Sequence, residues 1–159
     1  MSERARGSSE STAQTTAAST INSMRPAAPK ATRSKSVITA PSGGQRLIDR
    51  GYHEIQGLAW SGRGRIRRVD VSTDGGRNWR TARLQEPVLT KALTRFRCDW
   101  QWDGGPALLQ SRAIDDTGYV QPTITQLRAV RGTRSIYHNN AIQTWRVLPD
   151  GEVGNVQVA

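Results

Sequence analysis

Residues 69–79 read Val69-Asp70-Val71-Ser72-Thr73-Asp74-Gly75-Gly76-Arg77-Asn78-Trp79, an alternating segment that enters an acidic glycine turn and ends on a tryptophan. Glycine adopts positive φ without steric cost, and an aspartate side chain can hydrogen-bond its own backbone, so the Asp-Gly-Gly sequence favours a tight turn. The stretch therefore predicts a β-hairpin. Its register places Val69 and Val71 in the core against Trp79.

Working outward from this hairpin, the chain shows a succession of short strand-like segments separated by turn residues. Seven strands are predicted, at residues 36–39, 52–60, 65–71, 79–84, 94–102, 107–114 and 142–148, and no amphipathic helix is predicted. This pattern is typical of an all-β, immunoglobulin-like antiparallel sandwich of two sheets. The core and the interface are expected to draw on the five tryptophans, Trp60, Trp79, Trp100, Trp102 and Trp145.

The composition changes near residue 36. Residues 1–35 are rich in Ser, Thr, Ala and Pro and have no sustained apolar periodicity, which predicts a disordered tail before a domain at residues 36–159. The tail also lacks the apolar core of a secretory signal peptide. We therefore expect the chain as written to remain in the cytoplasm.

The chain is strongly basic, with 23 Lys and Arg against 13 Asp and Glu and a net charge of +10. Such a charge can indicate a polyanionic partner. Outside the tail, however, most arginines alternate with apolar residues, as expected for the solvated face of a sheet. A module that binds anionic ligands or nucleic acid therefore remains the alternative interpretation.

The sequence offers no complete catalytic or metal site. His53 and Glu54 are adjacent on a strand and point to opposite faces, and Asp115 and Asp116 are expected to be turn residues. The single cysteine, Cys98, alternates with charged residues and is expected to be a buried apolar residue. Residues 61–65, Ser-Gly-Arg-Gly-Arg, are expected to form a hairpin or an interface element rather than an anion-binding loop.

Four separated blocks of the sequence carry a family resemblance. They are Ser36-Val37-Ile38-Thr39, Gly57 to Trp79, Gln110 to Pro122, and Arg131 to Trp145. Together they resemble the C-terminal dimerisation domain of sulfite-oxidase-type molybdenum oxidoreductases, with the sulfane dehydrogenase branch as the nearest. The resemblance spans most of residues 36–159.

This resemblance implies a domain that pairs with its copy and follows a larger domain holding the molybdopterin cofactor. In the family that larger domain supplies the molybdenum-binding cysteine, so Cys98 is not that ligand, and no cofactor is expected in this chain. The chain would then be a fragment without its own redox centre, not catalytic alone. The expected dimer or turn elements are Trp60, Arg63, Asp74, Gly75, Gly76 and Trp79.

The resemblance also implies partners, a location and a substrate-facing segment. Relatives work in the periplasm on sulfite or sulfane sulfur, and a haem cytochrome subunit and a sulfur carrier protein are implied partners. In sulfite-oxidising relatives an arginine before the last strand reaches the substrate anion. The matching segment here is Tyr137-His138-Asn139-Asn140, and His138 stands nearest to the position of that arginine.

Overall fold

The computed structural model describes residues 33–131 and 139–158. These residues form nine strands and one short helix, numbered here in chain order. The elements are β1 Lys35–Ala40, β2 Gly51–Trp60, β3 Ile66–Ser72, β4 Arg80–Thr81, β5 Arg83–Leu84, β6 Thr94–Trp102, β7 Ala107–Asp115, α1 Ile124–Arg131, β8 Thr144–Val147 and β9 Val153–Val156. Within the described residues, no helix is long and apolar enough to cross a membrane.

The strands form two antiparallel sheets. The four-stranded sheet has the order β1-β2-β6-β5, and the five-stranded sheet has the order β4-β3-β7-β8-β9. The predicted immunoglobulin-like sandwich is therefore confirmed. Of the predicted tail, residues 1–32 lie outside the described residues, whereas Ser34 is buried and Lys35 begins β1.

Strict alternation on the longest strands builds the core. In β6, Phe96, Cys98 and Trp100 point inward and the residues between them are exposed. Facing them across the sandwich are Val69 and Val71 of β3, which are buried as predicted. Gly57 of β2 is required here because a Cβ atom would overlap the ring of Phe96 and the backbone carbonyl of Val37.

Not all of the tryptophans contribute to this core. Trp100 and Trp102 belong to it, and Trp145 packs against it. Trp60 and Trp79 are half-buried and lie outside the core cluster. All five tryptophans were predicted to supply the core and the interface. For the core, this prediction holds for three of them and not for Trp60 and Trp79.

The predicted strand at residues 79–84 divides between the two sheets. Arg80 and Thr81 pair with β3, whereas Arg83 and Leu84 pair with β6 in the opposite sheet. Between the two pairs Ala82 is buried, and its N–H donates to the carbonyl of Val69 at 2.8 Å. A single strand paired only with β3 was therefore the wrong interpretation.

The end of the chain also differs from the prediction. The expected last strand at residues 142–148 is the shorter β8, and β9 follows it after a turn at residues 149–151. The helix α1 was not predicted. Its first turn is fixed by reciprocal capping, because Thr123 Oγ1 accepts the N–H of Gln126 and Gln126 Oε1 accepts the N–H of Thr123.

Candidate functional site

The acidic glycine turn after β3 is closed by its own side chains. Ser72 Oγ donates to Asp74 Oδ1 at 2.7 Å and accepts the N–H of Gly76 at 2.9 Å. The carboxylate of Asp74 also accepts the backbone N–H and the side-chain amide of Asn78, at 2.9 and 2.7 Å. Gly75 and Gly76 have φ of 74° and 91°, values that side-chain-bearing residues rarely adopt.

These hydrogen bonds determine the ionisation of Asp74. The backbone N–H of Asn78, its side-chain amide and the hydroxyl of Ser72 lower the pKa of Asp74 from 3.8 to about 2. A carboxylate held by so many donors is a turn element and has no capacity left for proton transfer near neutral pH. The structure thus places Asp74, Gly75 and Gly76 in a structural turn.

Trp79 lies on the outer face of the five-stranded sheet, not in the core. Its ring is covered by the guanidinium of Arg112, whose carbon lies 4.1 Å from the ring centroid. Arg112 is on β7 directly opposite Asp70 of β3, with which it forms an ion pair at 3.2 Å. Because Asp70 alternates with the inward-facing Val69 and Val71, the register prediction for Trp79 was wrong.

The loop at residues 61–65 connects β2 to β3, and these strands belong to different sheets. It is therefore a connection between sheets and not a hairpin. Ser61 Oγ donates to Asp115 at 2.9 Å, and the N–H of Arg65 donates to Asp116 at 3.2 Å. With the loop held by two carboxylates, an anion would meet repulsion here, and Arg63 remains exposed to solvent.

Asp115 is buried at the end of β7 and serves the turn that follows. Burial alone would raise its pKa, but hydrogen bonds from Thr117, Ser61 and the backbone of Tyr119 outweigh this and hold the pKa below 3.8. Asp115 and Asp116 thus act separately as acceptors for backbone and hydroxyl groups. This agrees with the expectation that both are turn residues.

The segment expected to face the substrate is described only in part. Tyr137 and His138 lie outside the described residues. Asn139 is exposed, and its backbone carbonyl accepts a hydrogen bond from Lys35 Nζ at 3.0 Å. Asn140 is buried, and its Nδ2 donates to the hydroxyl of Tyr119 at 2.9 Å and to the carbonyl of Ser34 at 3.4 Å. Asn140 therefore anchors the segment to the sandwich.

A buried glutamine that sequence reasoning missed joins the two sheets. Gln121 Oε1 accepts the N–H of Ser36 at 2.9 Å and the N–H of Ala113 at 3.1 Å, on β1 and β7 respectively. Its Nε2 donates to the carbonyl of Ala141 at 3.2 Å. Ser36 and Ser111 add a direct hydroxyl contact at 2.9 Å between the same two strands.

The described residues do not fit a molybdenum ligand set. The thiol of Cys98 points into the sandwich, where burial raises its pKa and disfavours the thiolate that a metal requires. His53 packs against Trp100 and Trp102, and its Nε2 lies 2.7 Å from the carbonyl of Asp49. In the described part of the chain, no group of three or more His, Cys, Asp or Glu could hold a metal ion.

The family model for the Mo-co oxidoreductase dimerisation domain matches residues 28–145, so the chain belongs to this family. Among solved structures it is similar to the sulfane dehydrogenase SoxCD from Paracoccus pantotrophus, with a TM-score of 0.78 and 60% identity. The predicted resemblance is confirmed.

The match to SoxCD covers 80% of this chain and 33% of that chain. Curated relatives include mitochondrial sulfite oxidase of Mus musculus, 36% identical over 64% of this chain and 20% of the relative. Sulfite oxidase of Arabidopsis thaliana is 34% identical over 55% of this chain and 26% of the relative. The chain thus spans about a fifth to a third of these proteins, and the matches give no support to the nucleic-acid alternative.

Proposed function

We propose that this chain is the pairing domain of a molybdenum-dependent oxidoreductase that acts on sulfur compounds, and that it forms a homodimer. The 60% identity to SoxCD over four fifths of the chain is the observation that carries the proposal. In this role the sandwich supplies a rigid surface for association, and the redox chemistry belongs to a molybdopterin-holding domain. The substrate is sulfite or a sulfane sulfur.

The proposed pairing surface is centred on Trp60. This half-buried indole lies beside a cavity of about 250 Å³ whose rim carries Lys91 and Leu93. Leu93 is 66% exposed, and exposed Arg63 stands on the adjoining loop. An exposed leucine beside an aromatic residue and an arginine has the composition expected of an interface, and Lys91 would lie at its polar rim.

Sedimentation of the full chain tests the pairing. We expect a homodimer in the micromolar range, and a strictly monomeric species at about 100 µM would refute it, since specific complexes form well below that concentration. Leu93→Glu should weaken the dimer by placing a charge in the interface. Val130→Glu is the matched control, because Val130 is 80% exposed on α1 and does not line the cavity at Trp60. Equal weakening by both variants would contradict the Trp60 surface.

The redox assignment is tested separately. The purified chain, expressed in a host that makes molybdopterin, should bind no stoichiometric molybdenum and should not oxidise sulfite or thiosulfate. The physical reason is that its thiol at Cys98 is buried among apolar residues. One molybdenum per chain in elemental analysis would overturn this part of the proposal.

The remaining family roles complete the proposal. The assembled enzyme acts in the periplasm and passes electrons to a haem cytochrome subunit, while a sulfur carrier protein presents the substrate. Tyr137, His138, Asn139 and Asn140 form the substrate-facing segment. His138→Ala in an enzyme assembled with a molybdopterin domain should lower kcat/KM, whereas exposed Gln101→Ala should not. Equal rates in both variants would remove His138 from the substrate site.

A further inference from the structure

The outer face of the five-stranded sheet carries a cavity of about 480 Å³. Its floor is formed by Gln110 and Arg112 of β7. One wall is Trp79 with the glycine turn before it, and the opposite wall is Ile124 at the start of α1 together with Ile142. Sites for small organic molecules typically measure about 300–1,000 Å³, so the cavity has room for such a ligand.

Among the described residues that line this cavity, Arg112 alone is charged. Its Nε and Nη2 each donate to Asp70 Oδ2 at 3.2 Å. Asp70, only 3% exposed, also forms an ion pair with Arg68, whose Nε lies 3.0 Å from Asp70 Oδ1. Two guanidinium groups therefore share one carboxylate, which leaves a net positive charge beside the cavity.

The guanidinium of Arg112 is also fixed in orientation. Asp70 holds one edge, and the ring of Trp79 covers one face at 4.1 Å. A guanidinium has five N–H donors, and Asp70 engages two of them. Within residues 33–131 and 139–158, nothing accepts a hydrogen bond from Nη1 of Arg112. The guanidinium of Arg112 is planar, and its edge at Nη1 can still donate hydrogen bonds. Such an edge can bind a carboxylate, because two parallel N–H groups can donate to its two oxygens.

The rest of the lining is mixed. Trp79, Ile124 and Ile142 contribute apolar surface, Thr123 and Gln126 add polar side chains, and Gln110 Nε2 donates to Thr144 Oγ1 at 2.8 Å. We propose that the cavity binds a small organic carboxylate, with its charged end on Arg112 and its apolar body between Trp79 and Ile142. This site is separate from the dimer surface at Trp60 and does not depend on the proposed function.

Titration of the ¹⁵N-labelled full chain with benzoate tests the proposal. The amide signals of Gly75 and Gly76 and the indole signal of Trp79, all at the cavity, should shift saturably with a Kd at or below about 1 mM. Benzyl alcohol, which lacks the charge, should bind at least about tenfold more weakly, which corresponds to one lost charge-assisted contact. Sulfate should also bind at least about tenfold more weakly, because it lacks the apolar body that the walls would cover.

Two variants and one control locate the binding. Arg112→Gln should abolish the shifts, and Arg146→Gln should leave them unchanged, since Arg146 is exposed on the same face of the sheet but outside the cavity. Because Arg112→Gln also disturbs Asp70, Ile142→Trp is the second test: it fills the cavity and keeps the ion pair. Absence of saturable shifts, equal binding of sulfate or benzyl alcohol, or unchanged binding in Ile142→Trp would each overturn the proposal.

Discussion

Replacement of Gln121 by alanine removes the side chain that joins the two sheets. In the folded protein Gln121 is 1% exposed, and its amide pairs with the N–H groups of Ser36 and Ala113 and with the carbonyl of Ala141. The truncation leaves these three backbone groups buried without their partner. Gln121 also lines the cavity of about 480 Å³ on the outer face of the five-stranded sheet, so water can reach the vacated position and replace part of these contacts.

The expected loss of stability follows from these contacts. Each buried N–H left without an acceptor costs about 1–3 kcal/mol, and the one lost methylene group adds about 0.8 kcal/mol. Allowing for partial rescue by water, we expect Gln121→Ala to lower the free energy of unfolding by about 3–6 kcal/mol. This is a large part of the roughly 5–15 kcal/mol that stabilises a typical domain.

Urea denaturation, followed by tryptophan fluorescence at one fixed protein concentration, measures the loss. With a slope of about 2 kcal/mol/M, the midpoint should fall by about 1.5–3 M. The matched control is Gln101→Ala, because Gln101 is exposed on β6; its effect should stay within about 0.5 kcal/mol. A midpoint for Gln121→Ala within about 0.3 M of the parent would refute the reasoning.

The charge variant Gln121→Glu gives a further check. The introduced carboxylate can still accept the N–H groups of Ser36 and Ala113, but it faces the carbonyl of Ala141 without a proton to donate. Burial and this repulsion raise the pKa of the introduced group above about 4.3, the usual value for glutamate. A group with a raised folded pKa stabilises at low pH and loses that contribution as pH rises through the folded value, so the variant should be least destabilised in acid.

Three further predictions concern the turn and the cysteine. Gly75→Val and Gly76→Val should each lower the free energy of unfolding, measured by urea denaturation, by about 1–3 kcal/mol because both positions have positive φ. Arg77→Ala, at an exposed position, should lower it by less than about 0.5 kcal/mol. Urea midpoints of the glycine variants equal to that of the parent would refute the turn. Hydrogen bonds lower the pKa of Asp74 in the folded chain from 3.8 to about 2. Its contribution to stability should therefore be present above pH 3.8 and disappear as pH falls towards 2. An NMR titration of Asp74 with a midpoint near 3.8 would contradict this. Cys98, buried and with its pKa raised by burial, should react with a thiol reagent at neutral pH only after unfolding, and rapid labelling of the folded chain would count against its inward position.

The alternation of residues made the longest strands predictable. Each inward position of β6 is apolar or small, and Ile55, Gly57 and Ala59 follow the same alternation in β2, so the period of two determines both the strands and their buried faces. The turn at Asp74 was predictable for a similar reason, because its hydrogen bonds are local and join residues at most four apart. Features that depend on residues close together in the chain could therefore be predicted from the sequence.

Long-range pairing was not visible in the sequence. Residues 80–84 read as one strand, and nothing local shows that the pairing partner changes at Ala82. Trp79 was assigned to the core because aromatic residues are usually buried, yet its position over Arg112 depends on a residue 33 places away. The role of Gln121 likewise depends on Ser36, which is 85 residues distant.

The helix α1 was missed because its apolar pattern is weak. Leu127 is buried and Ile124 is half-buried, but Val130 is exposed, so the segment shows no continuous apolar stripe. The signal that could have found it is the pair Thr123 and Gln126, which matches a capping box. The substrate-facing segment stays a prediction, since Tyr137 and His138 lie outside the described residues.

The divided strand at residues 80–84 makes the two sheets a single cooperative unit. Arg80 and Arg83 stand in different sheets, yet only two residues separate them in the backbone. Because of this short connection, neither sheet can separate here without displacing the other. Gln121 couples the two sheets in the same way at β1 and β7, through its hydrogen bonds to Ser36 and Ala113. Backbone amides of β3 and β6 should therefore exchange with solvent with one common free energy of opening, that of global unfolding, rather than as two separate layers.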